Sequence, residues 1–256
     1  MNFNPGDILT PRYDLFLVAF SYVVSVLGSL VALEAARFIS GPNQKTDWRM
    51  VSAAAFALGG IGVWMMHFTG MVAYRLPVPI TYDVGLTLVS LVAAILISGI
   101  ALYFAGGRGG FRVGGWVFGS ILTGLGVCVM HYMGMYAQVM RATLVWNYTT
   151  VGISVVIAVA AAGAALWLAF NLRSFVLRVM AAFVMGVAVC AMHYTGMAAA
   201  QVICTAAAPT GHWTIAGLEM WVLTLGGIAL VVIATRVANR SLGSRYLATQ
   251  AEPVKA

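Results

Sequence analysis

Long apolar stretches alternate with short polar breaks along most of this chain. A membrane-spanning helix needs about 20 mostly apolar residues, and seven stretches of the sequence meet that requirement. The breaks between them are rich in the glycine, proline and asparagine that are typical of loops. The pattern therefore predicts an all-α, polytopic membrane protein with seven transmembrane helices, at residues 13–38, 49–74, 83–105, 113–139, 149–171, 175–203 and 216–237.

Composition supports the same class of protein. The chain is 62% hydrophobic and 8% charged, whereas a soluble domain carries about 25% charged residues. We therefore expect the lipid bilayer as its surroundings and a single domain over residues 1–240, followed by a short cytoplasmic tail at 241–256. The first apolar stretch is too long for a signal-peptide core and no basic region precedes it, so it is expected to remain as the first span.

The basic residues predict the orientation in the membrane. They are spread thinly, without a patch, so nucleic acid is not an expected partner. Lysine and arginine favour cytoplasmic loops, which places the N-terminus outside and the C-terminus in the cytoplasm. Glu34 is expected to pair with Arg37 one turn later. The predicted cytoplasmic side holds Arg37, Lys45, Arg49, Arg108, Arg112, Arg173, Arg178, Arg236, Arg240, Arg245 and Lys255, and the other side Arg12, Arg75 and Arg141.

One six-residue motif occurs three times, at residues 66–71, 130–135 and 192–197. Each copy begins with Met-His and ends with Gly-Met, and its histidines are 64 and 62 residues apart. A near-constant period of this kind indicates one structural unit that has been copied. The chain is thus predicted to contain three two-helix repeats plus a seventh helix without a motif, with the copies near the outer ends of helices two, four and six.

The residue types in the motif are those of a metal site. Residues four apart share one face of a helix, so each histidine lies beside the methionine that ends its motif. Imidazole, thioether and thiolate together suit copper better than magnesium or calcium, and zinc gains nothing from methionine. The predicted ligands are His67, His131, His193, Met71, Met135, Met197, Cys128 and Cys190. The methionine before each histidine points a quarter-turn away, so Met66, Met130 and Met192 are either additional ligands or packing residues.

Other readings of these residues stay open at the level of sequence. Two histidines can ligate a haem iron, although the Met-His pairing would then have no role, so haem ranks below copper. Three cysteines make a closed disulfide framework unexpected. Cys204 and His212 lie outside the motif copies and are expected to be incidental. Asp14, Asp83 and Glu219 begin predicted helices on the motif side, where they either cap those helices or bond a ligand histidine from behind.

The repeated core resembles the MHYT family of bacterial integral membrane sensor domains. Residues 192–195 match the four-letter motif completely, whereas Met133 replaces its threonine and Phe68 its tyrosine in the other copies. The resemblance covers residues 10–240. It implies a bacterial inner-membrane location, copper held by methionine, histidine and cysteine near the outer face, and sensing of diatomic gases such as oxygen, carbon monoxide or nitric oxide.

Many members of the family also carry cytoplasmic signalling modules, such as domains that make and degrade cyclic di-GMP. None is present in these 256 residues, so a separate cytoplasmic signalling protein is the expected partner. The leading hypothesis is a copper-binding sensor of gas or redox state. The alternative is a copper-dependent membrane oxidase or monooxygenase. Copper handling or transport ranks lower, because the inner halves of the helices contain no ladder of methionine or histidine.

Overall fold

The computed structural model describes residues 3–40, 45–107, 111–215, 225–227, 229, 232–240 and 243. Within these ranges six helices are long and apolar enough to cross a membrane, and they confirm the first six predicted spans to within a few residues. They are α1 (Leu15–Ala36), α2 (Trp48–Ala73), α3 (Val84–Gly107), α4 (Val113–Tyr136), α5 (Tyr148–Asn171) and α6 (Phe175–Ala198).

The predicted seventh helix is described only in part. Residues 225–227, 229 and 232–240 are helical. The rest of the predicted span, including Glu219, lies outside the described residues, as does the predicted tail apart from Gly243. The part that is described packs along α2, where Arg240 forms an ion pair with Asp47 at 2.9 Å.

Short polar side chains set the starts of four of the helices. Asp14, Asp47, Asp83 and Asn147 stand just before α1, α2, α3 and α5, and each accepts hydrogen bonds from backbone N–H groups in the first turn. These N–H groups have no partner inside the helix, and a carboxylate or amide oxygen at this position satisfies them. The loop chemistry of the sequence thus fixes the helix boundaries.

The six helices form a closed ring. Each helix packs against its neighbours in the chain, and α1 also packs against α6, which closes the ring. The motif-bearing helices α2, α4 and α6 contact one another across the middle, while α1, α3 and α5 lie between them. This arrangement brings the three motif copies to the same end of the bundle, called the motif end below.

Helix α2 is not a regular α-helix along its whole length. Its middle, Phe56–Met65, is π-helical, and α-helical segments precede and follow it. Ser25 of α1 donates a hydrogen bond of 2.9 Å to the carbonyl oxygen of Gly62 in this segment. Because π-helical turns are rare and are found mostly at functional sites, the irregularity just before His67 draws attention to the motif that follows it.

The protein is mostly helical, as predicted, but the motif end is covered by short strands that the hydropathy pattern did not predict. Helices α4 and α6 end earlier than predicted, because the chain beyond them turns into strands. The strands form three antiparallel sheets. The first contains β1 (Ile8–Leu9), β7 (Ala200–Cys204) and β6 (Ala142–Trp146), the second β2 (Arg12–Tyr13) and β3 (Tyr74–Arg75), and the third β5 (Gln138–Val139), β4 (Thr81–Asp83) and β8 (Thr214–Ile215).

A buried arginine holds the opposite end together. Arg178 of α6 is 2% exposed, and its Nε donates to a Glu34 carboxylate oxygen of α1 at 2.5 Å. Its Nη1 donates to the carbonyl oxygen of Arg173, in the connection between α5 and α6, at 2.8 Å. Glu34 also pairs with Arg37 at 3.0 Å, which confirms that prediction. Three parts of the chain therefore meet at one guanidinium group.

Candidate metal centre

The three motif histidines meet on the axis of the bundle. Their Nδ1 atoms form a triangle whose sides are 3.1 Å from His67 to His193, 3.1 Å from His67 to His131 and 3.3 Å from His131 to His193. Each side chain is 1% exposed. Three positions spread over 126 residues of sequence thus form one buried cluster of nitrogen ligands.

The triangle has the dimensions of a site for a single ion. Its centre lies about 1.8 Å from each corner, close to the roughly 2.0–2.1 Å between an imidazole nitrogen and a bound metal ion. Each Nδ1 carries either one proton or one lone pair in the plane of its ring. A single proton can bridge only two of three converging nitrogens, whereas a metal ion accepts a lone pair from all three.

The glycines of the motif hold the imidazole rings from behind, in a cyclic order. A Cβ atom at Gly134 would lie 2.1 Å from Nε2 of His67, one at Gly196 would lie 2.3 Å from Nε2 of His131, and one at Gly70 would lie 2.4 Å from Nε2 of His193. No side chain larger than hydrogen fits at these distances. The glycine of each repeat therefore lies against the histidine of the preceding repeat, and the glycine of the first repeat lies against the histidine of the last. Such a glycine is called the seat of that histidine below.

The methionines that end the motifs lie one turn further toward the motif end. Met71, Met135 and Met197 are each 1% exposed and belong to one apolar cluster, which also contains Met66 and Met130. Side chains on a helix lean toward its N-terminus, so the three thioethers lean back toward the histidines. Met192 instead packs with Cys128 and Ala158. Whether any of these sulfur atoms binds a metal stays a prediction.

The two predicted cysteine ligands lie outside the cluster that the three histidines form. Cys128 packs against Ala158 of α5, and Cys190 lines a groove between α6 and α1. Three residues along a helix turn by about 300°, so a residue three positions before the histidine points sideways to the next helix of the ring. Among the described histidine, cysteine, aspartate and glutamate side chains, only the three histidines come together as a ligand cluster.

The acids near the motif end cap helices and bond other partners. Asp14 accepts from the N–H groups of the first turn of α1 and lies 4.0 Å from Arg75. Asp83 accepts from the N–H of Leu86 and lies 2.8 Å from Nδ1 of His212. The hydrogen bond from Leu86, followed by the one from His212, lowers the pKa of Asp83. His212, which was expected to be incidental, thus has a structural partner.

Serine partners of the aromatic residues beside the histidines were missed at the level of sequence. The Tyr194 hydroxyl lies 3.0 Å from Ser21 Oγ, and the Tyr132 hydroxyl lies 2.7 Å from Ser154 Oγ. Phe68 has no hydroxyl, and in that repeat Trp64 Nε1 donates to Ser90 Oγ at 2.9 Å. A signal was present, since Ser90 and Ser154 are separated by the same 64 residues as the first two histidines.

These features define a class of protein: a helical membrane protein in which three internal repeats build one buried centre of three histidines. The profile of a family described as "Bacterial signalling protein N terminal repeat", MHYT, matches the chain three times, at residues 60–114, 124–182 and 186–247. The chain belongs to the MHYT family.

Several curated proteins are similar to the chain. The bifunctional diguanylate cyclase/cyclic di-GMP phosphodiesterase MucR of Pseudomonas aeruginosa is 39% identical over 244 residues, which cover 91% of this chain and 35% of MucR. The cyclic di-GMP phosphodiesterase NbdA of the same species is 31% identical, over 73% of this chain and 24% of NbdA. The signaling protein YkoW of Bacillus subtilis is 26% identical, over 95% of this chain and 31% of YkoW. The chain thus spans about a third of the length of these relatives or less. No solved structure matches it.

Proposed function

We propose that this chain is a membrane sensor domain that holds one copper ion between His67, His131 and His193 and responds to a diatomic gas or to redox state. The observation that supports this most directly is the triangle of Nδ1 atoms, with sides of 3.1–3.3 Å. Protons shared among the three Nδ1 atoms cannot satisfy all three nitrogens at once, whereas a cation at the centre accepts a lone pair from each of them.

The surroundings of the triangle favour copper among the metals that imidazole binds. A thioether is a soft ligand that suits Cu(I), and Met71, Met135 and Met197 lie one turn from the histidines. Zinc binds imidazole well but gains nothing from neighbouring thioethers. Bound copper would supply a soft, redox-active centre with affinity for small diatomic ligands. The protein would hold the three rings in place through Gly70, Gly134 and Gly196.

The geometry argues against haem. Two axial histidines of a haem approach the iron from opposite faces of the porphyrin ring. Here the Nδ1 atoms of any two motif histidines are at most 3.3 Å apart and all three face one point, so a porphyrin has no room between them.

Burial of the site favours a sensor over an enzyme. The histidines are 1% exposed, and strands of the three sheets cover the motif end. A diatomic gas can reach such a site, whereas an organic substrate of an oxidase or monooxygenase needs an open path and an open coordination position. The relatives are named as signalling proteins or as enzymes of cyclic di-GMP turnover. The oxidase remains the alternative to test.

We propose the bacterial inner membrane as the location, with the motif end outward. Among the described residues, Arg12, Arg75 and Arg141 lie at the motif end, and the opposite end carries many more basic residues. Positively charged loops stay in the cytoplasm. The larger group consists of Arg37, Lys45, Arg49, Arg112, Arg173, Arg178, Arg236 and Arg240.

The proposed signal leaves through helix α6. This helix carries His193 near one end and Arg178 near the other, and 15 residues of α-helix span about 22 Å. A change in ligand geometry at His193 would move helix α6 and so alter the ion pair of Arg178 with Glu34. The receiver would be a cytoplasmic signalling protein or domain, and the names of the relatives suggest the enzymes of cyclic di-GMP turnover.

Metal analysis tests the proposal. We expect about one copper ion per chain in purified wild-type protein, and loss of that copper in each of the variants His67→Ala, His131→Ala and His193→Ala. His212→Ala is the matched control, because it removes the one histidine outside the motifs. That variant should keep its copper.

Two further readouts complete the experiment. Infrared and optical spectra of the copper-loaded protein under oxygen, carbon monoxide and nitric oxide should show which gas binds. Turnover of a reductant together with oxygen would favour the oxidase. If well-folded wild-type protein contains no copper after reconstitution, the proposal is wrong.

A further inference from the structure

A small cavity, partly open toward the surface of the helix bundle, lies on the side of the histidines away from the motif end. It has room of about 40 Å³ for the centre of a water-sized molecule and is lined almost entirely by apolar atoms. Its walls come from α2, α4, α5 and α6. Among the lining residues are Val63, Val127 and Val189, each of which stands four positions before a motif histidine.

The positions of these valines place the cavity next to the metal centre. Four residues of α-helix correspond to a rise of about 6 Å, so the three valines lie one turn below the three histidines. Met192, which precedes His193 directly, also lines the cavity. A molecule in this cavity is therefore separated from the centre of the triangle by about one helical turn.

Water is a poor occupant of this space. A single water needs about 10–15 Å³ on this measure and two to four polar partners. The cavity is large enough for a water molecule, but it does not provide that number of polar partners. Its polar contribution is slight, and the Thr123 hydroxyl, which is buried and lacks a hydrogen-bond partner within the described part of the chain, is a lining group. Cavities with apolar walls stay dry and take up apolar ligands such as xenon.

We infer that this cavity is a binding site for a diatomic gas, from which the gas moves to the metal centre. The volume is sufficient for a molecule of two heavy atoms. The valines supply the apolar walls that O₂, NO and CO favour, and Thr123 supplies one hydroxyl that can donate to the bound molecule. The inference rests on the proposed function for its biological meaning, but occupancy of the cavity does not require the metal.

Xenon and oxygen, applied to metal-free protein, test the inference directly. The 256-residue chain, labelled with ¹³C in its valine methyl groups, is examined by NMR under increasing xenon pressure and then under oxygen. We expect saturable shifts of the Val63, Val127 and Val189 methyl signals with xenon, and enhanced relaxation of the same signals by paramagnetic O₂. Absence of both effects in wild-type protein would overturn the inference.

Two substitutions on α5 make the test specific. Ala161→Leu places a larger side chain on the cavity wall, and Ala164→Leu makes the same change at an exposed position of the same helix that does not line the cavity. The xenon-dependent shifts should be lost in Ala161→Leu and kept in Ala164→Leu. Equal shifts in both variants would show that xenon binds elsewhere.

A third variant distinguishes gas from water. Thr123→Val keeps the shape of the side chain and removes its hydroxyl. Saturable xenon binding in this variant, but not in the wild type, would mean that water occupies the cavity, which contradicts the inference. In copper-loaded protein Ala161→Leu should slow gas association without lowering copper content. If copper does not bind at all, the proposed function fails while the xenon and oxygen results still decide the nature of the cavity.

Discussion

Gly134→Ala is the sharpest test of how the three repeats cooperate. The new Cβ would lie 2.1 Å from Nε2 of His67, whereas ordinary contacts begin at 3.4 Å. The ring or the helix must therefore move by about 1.3 Å. A metal site tolerates changes of only about 0.2 Å in its ligand distances. We expect copper affinity to fall by about 10- to 100-fold and stability by about 1–3 kcal/mol.

The measurements are copper affinity by competition with a chelator and thermal unfolding of the metal-free protein in detergent. Gly114→Ala is the control, because it lies in the same helix α4 and a Cβ there meets no atom within 4 Å. Alanine is the better helix former, so this variant should bind copper as the wild type does and unfold no sooner.

Double mutants show whether the contact runs between repeats. His67→Ala removes the ring with which the new methyl group collides. Gly134→Ala should therefore hardly change the stability of the metal-free protein in that background. His131 is in the same repeat as Gly134 but is seated against Gly196. In the background of His131→Ala, Gly134→Ala should therefore lower stability as much as it does in the wild type. Equal costs in the two backgrounds would refute the cyclic arrangement.

Three further substitutions test other parts of the structure by thermal unfolding in detergent. Tyr132→Phe removes the hydroxyl that bonds Ser154 and should cost about 1 kcal/mol; an unchanged unfolding temperature would contradict this. Glu34→Gln leaves the Arg178 guanidinium buried without an anion and should lower stability by about 3–5 kcal/mol, so a variant as stable as the wild type would contradict a stabilising role for this ion pair. The lowered pKa of Asp83 means that its charge stabilises the fold above pH 3.8 and ceases to do so as the pH falls through the lowered pKa. The stability difference between wild type and Asp83→Asn should therefore shrink in acid, and a difference that grows in acid would disprove the assignment.

Hydropathy predicted the spanning helices well because each depends on its own residues. The ends of α4 and α6 were placed too far along the chain, at residues 139 and 203, because the apolar character continues into strands. The strands themselves depend on distant partners. Ile8 pairs with Ile203, and Tyr82 pairs with both Gln138 and Ile215. Segments of two to five residues with partners so far away leave no periodic signal in the sequence.

The sequence predicted which helix face carries the histidines but could not show that three faces converge. Convergence depends on the closed ring of helices, which is a property of packing between distant segments. The same limit applies to Cys128 and Cys190, each of which stands three residues before a motif histidine and lies outside the histidine cluster. A side chain three residues before a histidine points about 60° away from the direction of that histidine. A difference of this size determines whether the side chain faces the bundle axis or the next helix.

The cyclic seating of the histidines constrains how many repeats such a protein can contain. Each contact between repeats joins two different surfaces, an imidazole on one repeat and a glycine on the next. Contacts of this kind form a closed ring only when the rotation from one repeat to the next adds up to a full turn. Here the ring closes after three steps, from His193 back to Gly70. The three repeats of this single polypeptide are thus arranged like the subunits of a cyclic trimer. A chain that lost one repeat would keep an unseated histidine at one edge and an empty glycine seat at the other, and the two would fit each other only between separate molecules.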